Sequence, residues 1–365
     1  MDDKPPPFPL VQKGRGAPTN VTPTRFNLKE RITDGDWLDD QDVLGNTPAR
    51  LHTEVTIEYP KSILNFNTSP DLPFDRSVNA YRGCEHGCIY CYARPTHAYH
   101  DLSPGLDFET KLFAKQNAAE LLRHTFAKPT YKPAALAIGT NTDPYQPIEK
   151  RCRITREILE VMLETRHPVG ITTKSDKVLA DRDLLSKLAD LKLTAVAISI
   201  TTLEPQTARL LEPRAPSPAK RLLAVKQLRD AAIPVHVNIA PVIPAITDHE
   251  LESIVEAAAE HGAQSISITP VRLPHEVTPL FEAWLEMHFP DRKRKVMNII
   301  SSMREGRTND PRFHSRMRGT GPWAELLRTR LNIAARKAGL KKPEFALRTD
   351  LFRRPIARGS QMELF

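Results

Sequence analysis

The chain has 365 residues, 40% of them apolar and 26% charged, with a formal net charge of +8. That length can bury a full core in one large domain or two, while four cysteines are too few for a disulfide framework. No run of about 18 apolar residues exists to span a membrane, and the opening Met1-Asp-Asp-Lys-Pro-Pro-Pro lacks the apolar centre of a secretory leader, so a cytoplasmic protein is expected.

Residues 1–53 are rich in Pro, Gly, Asp and Thr and show little periodicity, which reads as an irregular N-terminal arm. Residues 54–59 alternate apolar and polar side chains and predict a short strand leading into the core. Further strands are predicted at 77–81, 134–138, 169–173, 195–200, 235–240 and 265–269. Helical patterns lie between them at 114–126, 153–165, 180–188, 218–231 and 249–261. Strand–helix alternation at this spacing implies right-handed crossovers and a parallel sheet. Six such units make an α/β fold of the partial TIM barrel type, (β/α)6, over residues 54–290.

The pattern then changes. Residues 277–288, 292–303 and 323–338 read as helices, and residues 291–347 form a basic helical extension. Over 291–358 there are 19 Lys/Arg against 6 Asp/Glu, a local +13 that leaves about −5 for the rest. Such a block fits an anionic partner, nucleic acid before others, or else a solvated helical face. Residues 348–365 read as a flexible tail.

The chemistry centres on the run NAYRGCEHGCIYCYA, from Asn79 to Ala93, which sets Cys84, Cys88 and Cys91 in a C-x3-C-x2-C pattern. Three thiolates from one loop can hold three irons of a [4Fe–4S] cube and leave the fourth open, whereas electron-transfer clusters use four cysteines. The alternatives are a zinc site and three unrelated thiols. Structural zinc wants four ligands from paired knuckles; no second knuckle exists, and His86 sits inside the loop.

With the aromatic Tyr90 before its last cysteine, the motif resembles the radical S-adenosylmethionine (radical SAM) superfamily. The wider run, together with GTNTDPYQPIE from Gly139 to Glu149, resembles its spore photoproduct lyase-related branch. The resemblance covers roughly residues 75–290. It implies a partial barrel, one [4Fe–4S] cluster held by Cys84, Cys88 and Cys91, and S-adenosylmethionine chelated to the open iron. It also implies hydrogen abstraction by a 5′-deoxyadenosyl radical and an electron donor of the reductase or flavodoxin type.

The resemblance further implies that Tyr90 packs near the adenine. The usual Gly-Gly-Glu run after the second strand is missing; Thr140, Asn141, Thr142 and Asp143 stand there, with hydroxyl and carboxylate acceptors for an ammonium group. Asp143 also reads as turn chemistry in Asp-Pro. Lys174, at the end of the third strand, can pair a cofactor carboxylate. Ser199 and Thr201 alternate on one face of the fourth strand, and Asn238 on the fifth can bind ribose. Arg214 offers a contact to cofactor or substrate phosphate. Spore photoproduct lyases carry a hydrogen-donating cysteine near the end of strand two; here Ile138-Gly139-Thr140 has none, leaving Cys152 and Tyr145 as catalytic candidates.

The chain ends Gln361-Met-Glu-Leu-Phe365, similar to the peptide by which bacterial repair proteins bind the sliding clamp. Together these features point to radical hydrogen abstraction from a damaged or modified nucleic-acid base, DNA first, in lyase-type repair. The alternatives are radical modification of RNA, a peptide or a small molecule, and a non-catalytic iron–sulfur redox sensor on DNA.

Overall fold

The computed structural model describes residues 14–23, 51–340 and 346–355; most of the expected N-terminal arm and the peptide at 361–365 lie outside them. Ten strands occur among the described residues: β1 (Glu54–Glu58), β2 (Leu64–Phe66), β3 (Arg76–Val78), β4 (Tyr81–Arg82), β5 (Lys111–Lys115), β6 (Leu136–Ile138), β7 (Val169–Thr173), β8 (Thr194–Ser199), β9 (Val235–Val242) and β10 (Ser265–Pro270).

Seven strands form one sheet in the order β10-β9-β8-β7-β6-β3-β2. β2 runs antiparallel to β3, and every other pairing is parallel. Six parallel neighbours in chain order are the arrangement of (β/α)6, and the array is open, with β2 and β10 at its edges. A second sheet, β1-β5-β4, packs the chain before and after the cysteine run. Its central strand takes Lys111–Lys115, where the expected helix 114–126 begins. The helix itself spans Ala118–Ala127.

The two faces of the parallel sheet differ in chemistry. Val78, Ile138, Val169, Ile171, Val196, Ile198, Val235 and Val237 turn outward into one apolar core. The helix Ile154–Thr165 meets them with Ile154, Ile158, Leu159, Val161 and Met162, an apolar stripe at helical spacing. The helices Arg182–Asp190, Pro218–Asp230 and Leu251–Glu260 supply Leu185, Leu188, Val225, Leu228, Ile254 and Val255 to the same core.

Strand side chains alternate, so the inner face carries the intervening residues. Register pairing sets Ser77, Ala137, Gly170 and Ala195 side by side. Thr172, Ala197, His236 and Ser265 follow one step higher, then Ser199, Asn238 and Ser267. This concave face is lined by small and polar groups, and the strands' carboxyl ends open at its mouth.

The basic helices belong to the same body. Val277–His288 and Pro290–Ser302 place Phe281, Trp284, Val296 and Ile300 in a second core with Ile89 and Tyr90. Gly321–Lys337 adds Leu327 and Ala334 to the main core, and Arg330 forks onto Glu252 at 2.7 and 2.6 Å. Beyond it, Phe352 packs within 6 Å of the Phe126, Tyr131 and His167 rings, and the Arg353 N–H donates to the Thr165 carbonyl at 2.7 Å. Thus 348–355, the described part of the expected tail, lies against the base of the sheet.

Candidate active site

The cysteine loop leaves β4 at the mouth. The Cys84 N–H donates to the Phe108 carbonyl at 2.9 Å, and the Cys91 N–H turns back to the Cys88 carbonyl at 3.2 Å. Behind the loop Arg94 is fully buried. It donates to the Cys88 carbonyl at 2.9 Å and to the Glu109 carboxylate at 2.5 Å. Glu109 also accepts from the Gly16 and Ala17 N–H groups at 3.0 and 2.8 Å. The described part of the N-terminal arm is therefore docked on the loop. A Cβ at Gly16 would lie 1.7 Å from the Gly87 carbonyl oxygen, so only glycine permits this approach.

The loop after β6 holds the cysteine loop from the other side. The Thr142 hydroxyl donates to the Gly83 carbonyl at 2.6 Å, and Gln146 links Thr142 to the Glu85 N–H. Asn79 bonds Thr140 and the Asn141 N–H. Asp143 accepts from the Thr173 hydroxyl at 2.7 Å, the Lys174 N–H at 2.8 Å and the Tyr145 N–H at 2.9 Å. Its Oδ2 lies 3.3 Å from His86 Nδ1. Burial opposes its charge, but His86 and these donors outweigh burial and hold the carboxyl at about 2. Thr142 and Asp143 are thus spent on holding loops together.

Glu212, which sequence reasoning passed over, is the centre of a buried network. Its carboxylate accepts from the Tyr90 hydroxyl, from Thr201 at 2.7 Å and from the Arg221 guanidinium. Arg221 also donates to the Ser199 carbonyl at 3.1 Å. Burial works against the Glu212 charge, yet Arg221 and then Lys174 bring its carboxyl down to about 2. Lys174 Nζ stands 5.8 Å from the centre of the Tyr90 ring. Nearby, Arg214 pairs with Glu85 at 2.9 Å and its N–H donates to the His86 carbonyl. Arg214 therefore braces the cysteine loop.

Ser199 and Asn238 face each other across β8 and β9 on the concave side. Ser267 donates to Asn238 at 2.7 Å, and the His236 ring spans Ser265 and Ser267. Cys152 lies on the outer layer, beside a surface hollow lined by Arg153, Arg156, Glu157 and Glu160. Tyr145 is buried, with its hydroxyl donating to Asp181 at 3.0 Å.

The donor set discriminates between metals. Cys84 and Cys88 are buried and Cys91 half-buried, close enough for each charge to act on the others. Burial, then Glu212, pushes the Cys88 thiol up to about 12, so these thiolates need a cationic partner. Tetrahedral zinc needs its ligands within about 2.3 Å of one point, whereas a cube gives each thiolate its own iron.

The family model described as the Radical SAM superfamily matches residues 78–258. An uncharacterized protein of Mycobacterium tuberculosis is 36% identical over 234 residues, 63% of this chain and 69% of its own length. The chain belongs to the radical SAM superfamily. An uncharacterized protein of Methanocaldococcus jannaschii is 32% identical over 173 residues, 47% of this chain and 62% of its own. A solved variant of spore photoproduct lyase is similar in fold, with a TM-score of 0.55 at 12% identity over 78% of this chain and 79% of that one.

Radical SAM enzymes use a [4Fe–4S] cluster and S-adenosylmethionine. Two buried thiols and one half-buried fit the cluster, and the small, polar concave face fits an organic ligand beside it. No helix among the described residues is long and apolar enough to cross a membrane.

Proposed function

We propose that this radical SAM enzyme abstracts hydrogen from a damaged or modified nucleic-acid base, DNA first, in a lyase-type reaction. The observation that carries the reading is where the charge sits. Pro290–Ser302 shares a hydrophobic core with Tyr90 and the cysteine loop, it exposes Arg292, Arg294 and Lys295, and Arg292 donates to the Ala245 carbonyl beyond β9 at 3.0 Å. A basic surface fixed to the catalytic body tracks a phosphate backbone while the base enters the concave face.

In this reading Cys84, Cys88 and Cys91 hold the cluster, and Lys174 pairs the cofactor carboxylate. Ser199 and Asn238 take polar groups along the concave face, and Thr140 lies at its rim. Tyr90, clamped by Glu212, packs against the cofactor. Thr142 and Asp143 position the cysteine loop. The chemistry supplied by the bound cluster and S-adenosylmethionine is a 5′-deoxyadenosyl radical for hydrogen abstraction. A reductase or flavodoxin-type protein provides the electron, and the peptide 361–365 recruits the enzyme to the sliding clamp.

The test is anaerobic reconstitution with dithionite and S-adenosylmethionine, followed by mass spectrometry of deuterium transferred from labelled DNA and RNA oligonucleotides. Transfer from DNA supports the reading. Transfer only from RNA, a peptide or a small molecule replaces the substrate, and absence of 5′-deoxyadenosine leaves a redox sensor. Removing the charges of Arg292, Lys293, Arg294 and Lys295 together should flatten log affinity against log salt by about 0.7–0.9 per lost phosphate contact.

A further inference from the structure

At the mouth, opposite the loop after β6, one arginine has no hydrogen-bond or ion-pair partner among the described residues. Arg272 stands two residues beyond β10, its guanidinium 4.9 Å from the centre of the Tyr92 ring. Tyr92 follows Cys91, is 47% exposed, and reaches across to donate its hydroxyl to the Thr140 carbonyl. Arg272 is thereby held over the entrance, between the sixth parallel strand and the cysteine loop. Among the described residues it makes no hydrogen bond and no ion pair; Asp71, the acid that acts on it, is engaged by Arg316 at 2.7 Å and by the His314 N–H at 2.6 Å.

A second cation reinforces it. Arg304 is 1% exposed and spends its donors on the carbonyls of Val271 at 2.7 Å, Pro270 at 3.4 Å and Arg316 at 3.1 Å, leaving Nε without a partner. Asp310, the acid near it, is bound by Arg312 and Ser315. Burial, and then the charge of Arg272, pull the Arg304 guanidinium down to about 10, so Arg304 remains charged at neutral pH. Two guanidiniums whose neighbouring acids are otherwise engaged make a rim whose positive field favours an incoming anion.

We propose that Arg272, backed by Arg304 and flanked by the Tyr92 ring, is a phosphodiester site that grips the strand next to the reacting base. The proposal rests on the nucleic-acid reading above and names the residues that seat the backbone at the site itself. Aromatic rings decide for a phosphodiester over a peptide carboxylate. Tyr92 lies under Arg272, and Phe313, 49% exposed, lies 4.8 Å from the Arg316 guanidinium. Interleaved arginine and exposed aromatic groups bind phosphate and stack bases together. Arg316 donates to Asp71 at 2.7 Å and to Ser69, which ties its segment to the loop between β2 and β3 and fixes the rim in place.

The test uses the reconstituted full chain and a fluorescent single-stranded DNA 12-mer, titrated at several salt concentrations. Arg272→Gln should weaken binding by about tenfold and flatten the salt slope by about 0.7, with iron content and melting temperature unchanged. Arg272→Lys, which keeps the charge but loses the fork, should fall between and carries the test if the glutamine variant loses iron. Arg348→Gln, whose arginine pairs with Asp350 at 2.6 Å away from the mouth, should bind as the parent does.

Parental affinity and slope in both Arg272 variants overturn the proposal. If removing the four charges from Arg292 to Lys295 still weakens DNA binding, the nucleic-acid reading stands without this site. A parent protein that binds neither DNA nor RNA overturns both. An Arg272-dependent affinity for polyglutamate but not for DNA would make the rim a carboxylate site and also overturn the proposal.

Discussion

Asp143 Oδ2 lies 3.3 Å from His86 Nδ1, so one carboxylate ties the middle of the cysteine loop to the loops after β6 and β7. Asp143→Asn keeps one acceptor and turns an amide toward a donor. It should cost about 1–3 kcal/mol, the penalty of a buried group left unsatisfied. The folded carboxyl sits below its ordinary value, so its stabilisation is present above about pH 4 and fades as pH falls toward 2. Urea unfolding and iron content measure both effects. Parental values in the variant would show that the link does not support the loop.

Cys84→Ala, Cys88→Ala and Cys91→Ala should each abolish the cluster, because three ligands leave no spare. Cys152→Ala should retain it, since Cys152 lies on the outer helical layer. Iron and sulfide analysis of the four variants decides this. Loss in the Cys152 variant with retention in any other would reverse the assignment.

Much of the fold was legible because the parallel strands are short apolar runs with helical patterns between them. The strand at 169–173 and the helix at 277–288 coincide with their expected bounds. The small sheet was not legible as a sheet. Lys111–Lys115 runs directly into a helical pattern, and its strand character comes from pairing with Glu54–Glu58, more than fifty residues earlier. The cysteines were legible because their spacing is local. Glu212 and Arg221 were not, since Glu-Pro reads as turn chemistry and the pair gains meaning only beside Tyr90. Likewise, Gly16 and Ala17 gave no periodic signal; their role comes from the distant Glu109 carboxylate.

Glu212→Gln should be strongly destabilising. It leaves the Arg221 guanidinium buried without a counter-charge, a loss of about 3–5 kcal/mol. Adding Arg221→Met should restore part of that stability, because the unpaired charge goes with it. Denaturant unfolding of both singles and the double gives the coupling. Additive losses would show that the two side chains act independently.

Glu149 makes stability depend on pH in the opposite sense to Asp143. Burial, only partly offset by the Tyr81 hydroxyl and the Thr155 N–H, raises its carboxyl to about 7. The folded state therefore binds the proton more tightly than the unfolded chain. That stabilisation is complete below about pH 4.5 and is lost as pH rises through 7, on the order of 3 kcal/mol. Glu149→Gln should flatten this part of the profile and leave the variant more stable than the parent at pH 8. Equal slopes between pH 5 and 8 would refute the assignment.

Gly170 tests whether the concave face is the reaction space. It lies between Ala137 and Ala195 in register, and a Cβ built on it would meet nothing within 4 Å. Its strand neighbours Val169 and Ile171 are buried on the helical side, so a side chain at 170 enters the open face without disturbing the core. Replacing glycine in a strand also restricts the unfolded chain, a gain of about 0.4–1 kcal/mol where the backbone tolerates it. Gly170→Ala should therefore leave S-adenosylmethionine cleavage near the parent rate. Gly170→Phe should lower it by about tenfold or more while melting temperature and iron content hold or rise, because the ring fills ligand space rather than protein space. Anaerobic assay of 5′-deoxyadenosine from the three proteins reads the difference. Parental cleavage in the phenylalanine variant would place the ligands outside this face.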